Sequence, residues 1–335
     1  MNITELQCAS KEVIVLLATF NGEKFIEAQL QSIVDQNYQN FSVLIHDDGS
    51  SDGTREIILN FVKRYPELFF LIEDGLVFGS AKNNFSHLLG LASSLNAKYF
   101  MFCDQDDVWH RDKISQSLLS MRVIEGVDEK TPCLVCTDLN LMDGEGNIFA
   151  DSFWNYQQME CKKDFKTLVN KSYYPGCSMM INKALLNFAG CIPDEAIMHD
   201  YWILLVASAF GRISVIDAPL ISYRIHGGNL VGINGYQKNF QKILKILEYF
   251  KNQRMMGKKQ FDQAYAFWRI YHDKLPMEID GFLRNYLKIR LSGNFILKIK
   301  NHRLLYAEGL IKSINKLILW DSLLCKDVYA DVVLY

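Results

Sequence analysis

Three carboxylates within four positions, Asp104, Asp106 and Asp107, end the apolar run Tyr99-Phe100-Met101-Phe102-Cys103. Aromatic residues favour buried strands and Asp is depleted there. The run therefore reads as a central strand whose carboxyl end delivers charge to a crevice, where open α/β sheets bind ligands. Asp104 and Asp106 stand two apart and share one side of an extended chain. No Lys or Arg follows until Arg111, so the pair repels unless a cation lies between its members. Hard divalent ions that hold phosphates take such oxygen ligands. The plainer alternative is a capped turn before a helix starting near Arg111.

The surrounding pattern says what must hold these residues. Residues 12–18 form a nearly continuous apolar run, the mark of a strand buried on both faces, broken by Thr19-Phe20-Asn21-Gly22. Ile26, Leu30, Ile33 and Val34 then recur at helical spacing. A second strand, Phe41–Ile45, runs into His46-Asp47-Asp48-Gly49, and Ser51 or Asp52 is placed to cap the helix carrying Ile57, Ile58, Phe61 and Val62. A third strand at Phe69–Ile72 and a helix over Ala81–Leu95 precede the acidic strand. Strands alternating with helices predict a Rossmann-like, mainly parallel α/β sheet. The first βα turn lacks G-x-G-x-x-G, which disfavours a dinucleotide site.

Beyond residue 130 the pattern changes. A strand over 133–139, a hairpin turn within 141–148, a Gly-led strand from Gly176 and a helix opened by His199-Asp200-Tyr201-Trp202 are expected. Two short strands, Ile213–Ile216 and Leu220–Tyr223, then lead to Arg224-Ile225-His226-Gly227-Gly228. From Gly235 the pattern is helical. The expected division is an α/β domain over 1–234, with halves 1–110 and 111–234, and a helical, basic region over 235–335.

Apolar residues make up 49% and charged residues 22% of the 335, with six prolines, which fits a folded protein. The longest apolar runs, such as Tyr201–Phe210, fall short of the roughly 20 residues a spanning helix needs. Eight cysteines without disulfide-framework density, in a chain that opens without a signal peptide, suggest a reducing cytoplasm. Cys133 and Cys136 lie three apart in a strand-like stretch and face opposite sides, which disfavours zinc there. The net charge of −2 suggests no nucleic-acid partner, yet it hides an asymmetry. Residues 236–320 carry 17 Lys and Arg against 6 Asp and Glu. Within them Lys298–Leu319 mixes Leu and Ile with basic residues, as a helix resting on an anionic surface would.

Six signals occur in order: Ala18-Thr19-Phe20-Asn21-Gly22, Asp47-Asp48-Gly49-Ser50-Ser51-Asp52-Gly53-Thr54, Asp104-Gln105-Asp106-Asp107-Val108-Trp109, Pro175-Gly176-Cys177, His199-Asp200-Tyr201-Trp202 and Tyr223-Arg224-Ile225-His226. Together, across about residues 12–230, the chain resembles the family 2 glycosyltransferases of the GT-A fold. Within them it is most similar to the bacterial rhamnosyltransferases of cell-surface polysaccharide synthesis.

That resemblance implies roles. Thr19, Phe20, Asn21 and Asp48 would line the base pocket of a nucleotide-sugar donor, with Asp48 accepting from an imide N–H and Phe20 packing near the ring. Asp104, with Gln105 beside it, would meet the ribose or the metal; Asp106 would hold Mg²⁺ or Mn²⁺ against the diphosphate. Asp107 would orient the loop or cap the helix. His226 would ligate the metal or contact diphosphate, Lys82 and Asn83 are further phosphate or sugar contacts, and Arg224 would contact diphosphate or, equally, pair with a buried carboxylate. Asp200 would be the catalytic base, in preference to Asp194 and Glu195; its plain reading is helix capping. His199 and Trp202 would face the acceptor, Trp202 as an apolar platform or, equally, as packing.

The implied reaction is inverting transfer from dTDP-L-rhamnose, or alternatively a UDP-hexose, to a glycan or lipid-linked glycan. Nucleotidyl transfer would need a Gly-rich basic loop near the first strand, which Thr19-Phe20-Asn21-Gly22 does not supply. Retained carboxylates argue against a noncatalytic glycan-binding protein. The basic tail fits either a peripheral position at the inner membrane face or a homodimer contact.

Overall fold

The apolar runs become the strands of one sheet in the computed structural model, which describes residues 11–226 and 242–291. β1 (Val13–Thr19), β2 (Phe41–Asp47), β3 (Phe69–Ile72) and β4 (Tyr99–Cys103) pair in parallel in the order β3-β2-β1-β4. Their buried Val, Ile, Leu and Phe side chains occupy both sheet faces, the composition a parallel sheet covered by helices requires. α1 (Ile26–Val34), α2 (Thr54–Arg64) and α3 (Ala81–Ser93) connect them. α1 buries Ile26, Leu30 and Ile33, three positions at helical spacing, and α3 buries Phe85, Leu88, Leu89 and Ala92.

Both Ser51 and Asp52 stop short of the cap of α2. Gly53 occupies the N-cap, while Asp52 stands one residue outside and accepts from Thr54 N at 3.1 Å. At α3 the Ser80 hydroxyl does cap, accepting from Asn83 N.

The strand order turns back between β1 and β4, so their carboxyl ends flank the switch point where α/β sheets bind ligands. Past β4 the sheet becomes mixed. A two-residue β5 (Val108–Trp109), absent from the sequence reading, precedes α4 (Lys113–Glu125). β6 (Cys133–Met142) and β7 (Ile148–Ala150) make the expected hairpin, with Leu141 opposite Ala150. β8 (Met179–Asn182) follows a 3₁₀ turn at Gly176–Ser178. β9 runs unbroken from Arg212 to Arg224, where two short strands were expected. Its register against β6 shifts between Thr137 and Asp138, which admits Pro219 without ending the strand. The sheet continues β4-β8-β6-β9-β5.

Short helices α5 (Phe153–Tyr156) and α7 (Lys183–Ala189) and the buried α8 (His199–Phe210) complete the α/β part, and α6 (Phe165–Leu168) lies between α5 and α7 in the chain. α9 (Lys242–Tyr271) and α10 (Met277–Leu291) follow. Contacts divide the chain into Met1–Cys161, Tyr173–Ile192 and Met198–Asn234 as one unit, and Lys162–Ser172, Pro193–Ile197 and Gly235–Tyr335 as the other. The helical unit thus takes two short segments from inside the expected α/β domain. Within it, Ile197 N donates to Gln263 Oε1 at 2.9 Å, Phe165 packs on Phe267 at 5.1 Å, and Arg269 pairs with Glu195 at 2.9 Å. No described helix is long and apolar enough to cross a membrane. Lys298–Leu319 lies outside the described residues.

Candidate active site

The loops that follow β1, β2 and β4 are stitched together by side chains. Thr19 Oγ1 donates to Asp47 Oδ1 at 2.8 Å, and Asp48 N donates to Thr19 O at 2.9 Å. Asn21, at φ 47°, receives Ser51 N on its side-chain oxygen and donates its own N–H to Ser50 Oγ, both at 2.8 Å. Asn tolerates that left-handed conformation better than most residues. Gln105 spans from the β4 loop to Phe20: its Oε1 accepts Phe20 N at 2.8 Å and its Nε2 donates to Phe20 O at 3.0 Å. A Cβ on Gly22 would stand 2.4 Å from that Oε1, so the glycine makes room for the clamp. Gln105 is thereby a positioning residue, where donor contact was expected. The Phe20 ring itself is 54% exposed at the mouth of the crevice. Asp48 is buried and accepts from Phe78 N.

The acidic loop after β4 divides its carboxylates by burial. Asp107 is buried, accepts Arg224 N at 3.1 Å and meets the Cys177 thiol, so it fastens the loop to β9 and the 3₁₀ turn. Burial pushes its pKa well up, with Asp106 and Asp104 adding to the shift. Asp104 and Asp106 are half-buried. Burial, then the charges of Asp106 and Asp200, raises Asp104 to about 7. Asp106 Oδ2 lies 2.8 Å from His226 Nε2. Among the described residues, the ligand atoms that fall within 4.8 Å of one another at this loop are those of Asp104, Asp107 and Cys177, while Asp106 is engaged with His226. Carboxylates in excess suit the hard ions Mg²⁺ and Mn²⁺.

Asp200 stands at the second residue of α8, while Met198 occupies the N-cap. The carboxylate therefore does not cap its helix in the usual manner. Its Oδ2 accepts Gly176 N at 2.8 Å and its Oδ1 accepts Tyr201 N at 2.6 Å. Burial raises its pKa to about 6 against the pull of those amides. A carboxylate with that affinity can take a proton from an alcohol and release it near neutral pH.

Three expected contacts are corrected by burial. Trp202 is 0% exposed in a largely buried helix, which favours the packing reading over the sugar platform. His199 is buried, stacked on Phe85 at 4.1 Å and edge-on to Phe102 at 4.9 Å; burial lowers its pKa to about 3. Arg224 is buried: Nε donates to Asp106 O at 2.8 Å, Nη1 to Asp143 O at 3.3 Å, and the guanidinium covers the Phe25 ring at 4.6 Å. It braces the acidic loop from behind. Lys82 and Asn83 occupy the first turn of α3, half-buried.

The sequence reading missed Phe25, Cys177 and Lys113. Phe25 supports Arg224 and packs on the His226 ring at 4.8 Å. The Lys113 ammonium is fully buried beneath the acidic loop, donates to Cys177 O at 3.0 Å and covers Trp109 at 4.5 Å; burial lowers its pKa to about 8. A lysine in the first turn of an amphipathic helix gives no sign that it points inward.

The sheet order and the carboxylates at its switch point define a GT-A fold. Residues 14–186, just over half the chain, match the family model described as Glycosyl transferase family 2. The chain belongs to that family and is a glycosyltransferase. The dTDP-rhamnosyl transferase RfbG of Shigella flexneri is 28% identical over 290 residues, spanning 77% of this chain and 95% of that protein. Residues 1–349 of S. aureus TarS share the fold, with a TM-score of 0.51 at 14% identity, covering 92% of this chain and 77% of that one. So does the mannosyltransferase PcManGT of Pyrobaculum calidifontis, solved with GDP-Man and Mn²⁺, with a TM-score of 0.51 at 18% identity, covering 92% and 78%.

Proposed function

We propose that the chain moves L-rhamnose from dTDP-L-rhamnose to a hydroxyl of a growing cell-surface polysaccharide, with inversion at the anomeric carbon. The observation that carries the chemistry is the placing of the acidic loop after β4 near the amino end of α8, where Asp200 acts on Asp104 and helps to raise its pKa. The near full-length similarity to RfbG supports the sugar.

Phe20 and Asp48 receive the base, Asp48 as acceptor for the imide N–H that thymine and uracil share. Asp104, Asp106 and His226 would hold a divalent ion, as PcManGT was solved with Mn²⁺. Bound there, the ion offsets charge growing on the departing diphosphate. Asp200, oriented by Gly176 and Tyr201 amides, takes the proton of the acceptor hydroxyl. The acceptor oxygen bonds to the anomeric carbon as the bond to the diphosphate oxygen breaks on the opposite face. The buried Asp107, Arg224 and Lys113 hold the acidic loop still while this happens.

The acceptor is taken to be a lipid-linked glycan, reached at the inner membrane face through the basic residues of 236–320. A donor screen monitored by nucleotide release, using dTDP-rhamnose, UDP-glucose, UDP-galactose and UDP-N-acetylhexosamines, tests the reading. Release from dTDP-rhamnose well above the others is expected; preference for a UDP-hexose would replace the donor and leave the chemistry standing.

A further inference from the structure

His46, Asp74 and His87 form a second cluster that the transfer reaction does not use. They come from β2, the β3–α3 loop and α3, three elements that the chain brings together. His46 Nε2 lies 3.3 Å from Asp74 Oδ1, and His87 Nε2 lies 2.7 Å from Asp74 Oδ2. One ligand atom from each residue falls within 4.8 Å of the others.

The protonation of His46 is fixed by its neighbour. Asn84 Nδ2 donates to the His46 carbonyl at 3.3 Å, so the amide oxygen is the atom that faces His46 Nδ1, at 2.8 Å. An amide oxygen only accepts, hence Nδ1 carries the proton. Nε2 is then the ring nitrogen left to face Asp74 Oδ1, inside a residue that is 1% exposed. A metal ion at that point would take Nε2 and the carboxylate as ligands together.

We propose that His46, Asp74 and His87 bind a divalent transition-metal ion of the zinc class, which fastens the β3–α3 loop beneath the donor crevice. Tetrahedral zinc with bonds of roughly 2.0–2.1 Å sets its ligand atoms about 3.3 Å apart. His46 and Asp74 stand at that separation. His87 Nε2 lies 2.7 Å from the other oxygen of Asp74 and, with one atom of each partner, inside the same 4.8 Å, so a small shift of its ring completes three ligands, with a water in the fourth position. Asn84 fixes the tautomer of a ligating imidazole, as an outer partner commonly does. His87 and Asp74 are partly exposed, which gives the ion a way in. Two imidazoles with one carboxylate favour zinc, whereas carboxylates predominate at the acidic loop.

The loop held in this way also serves the crevice. Asp74 accepts Leu76 N at 3.0 Å, and Phe78, whose ring packs against His46 and His87, gives its N–H to Asp48. The site stands whatever the donor sugar proves to be.

The test uses the full chain carrying Asp104→Asn, which removes a carboxylate from the acidic loop's own ligand group. Metal-free protein is titrated with Co²⁺, whose visible absorption reports tetrahedral coordination, and then with Zn²⁺ by equilibrium dialysis. One equivalent with a tetrahedral spectrum, displaced by Zn²⁺, is expected. His87→Ala, a substitution at a partly exposed position, should weaken binding by about 100-fold or more, and Asn84→Ala by about 10–100-fold. Unchanged affinity in His87→Ala overturns the proposal. So does metal-free protein that ignores Zn²⁺ and shows His46 as an imidazolium by ¹⁵N NMR, for then a proton fills the place given to the ion.

Discussion

The backbone N–H of Gly176 donates to Oδ2 of Asp200 at 2.8 Å, and a Cβ on that glycine would stand 3.3 Å from the same oxygen. With Tyr201 N on Oδ1, the carboxylate is oriented by two amides that a side-chain rotation cannot follow. One amide belongs to the turn before β8 and the other to α8, so two elements fix the aim of a single group.

Asp200→Asn keeps an oxygen for the Gly176 amide and loses the basicity, together with the acceptor that Tyr201 N uses. Sugar transfer should fall about 10²–10⁴-fold with the circular dichroism spectrum unchanged. Full transfer by the variant would remove Asp200 as the base.

Activity and stability should move oppositely with pH. Asp200 sits at about 6 in the folded chain against 3.8 for an ordinary Asp. Transfer should therefore drop as pH falls below about 6, where the base is protonated. Between about 4 and 6 the folded state holds more protons than the unfolded state, so this residue's contribution to stability declines as pH rises. Asp200→Asn should erase that slope. Denaturant midpoints across pH check it; a slope between about 4 and 6 that survives in the variant counts against the raised pKa.

Gly22→Ala should behave like Gln105→Ala. A methyl 2.4 Å from Gln105 Oε1 displaces the amide and breaks both hydrogen bonds to Phe20. Each variant should lose about 1–2 kcal/mol of stability, with weaker donor binding. The double variant should fall well short of the sum, since both remove one clamp. Additive losses would show that Gly22 matters for another reason.

Chelation should stop transfer, and Mn²⁺ or Mg²⁺ should restore it. His226→Ala should raise the Mn²⁺ concentration for half-maximal rate by about 10–100-fold. An unchanged metal requirement would leave His226 as a partner of Asp106 alone.

Flotation with anionic vesicles checks the tail. Lys298, Lys300, Arg303, Lys312 and Lys316 changed to Gln should reduce binding, each basic residue contributing about 1 kcal/mol at low salt. Equal flotation of the variant would leave the basic residues to a protein contact.

Much of this architecture is legible from apolar runs, because β1 to β4 are buried on both faces and α1 and α3 on one. β5 is not: two residues pair with β9 more than 100 positions away, and local pattern carries no trace of a partner so distant. β9 reads as two strands since Ala218-Pro219 interrupts the pattern, yet a register shift absorbs the proline. At the site, Asp106 and Asp200 stand at element ends, where composition changes abruptly. Gln105, Arg224 and His199 were misjudged for one shared reason: polar side chains near a crevice suggest ligand contact, whereas here a backbone, a pair of carbonyls and two phenyl rings already occupy them.

Phe20 combines a main chain bound on both sides by Gln105 with a ring left open to solvent. Replacement of that ring alters an exposed surface without loosening the loop that carries it. Under the base contact proposed above, donor preference can therefore drift by single substitutions at position 20, each leaving Gln105 and the acidic loop in register.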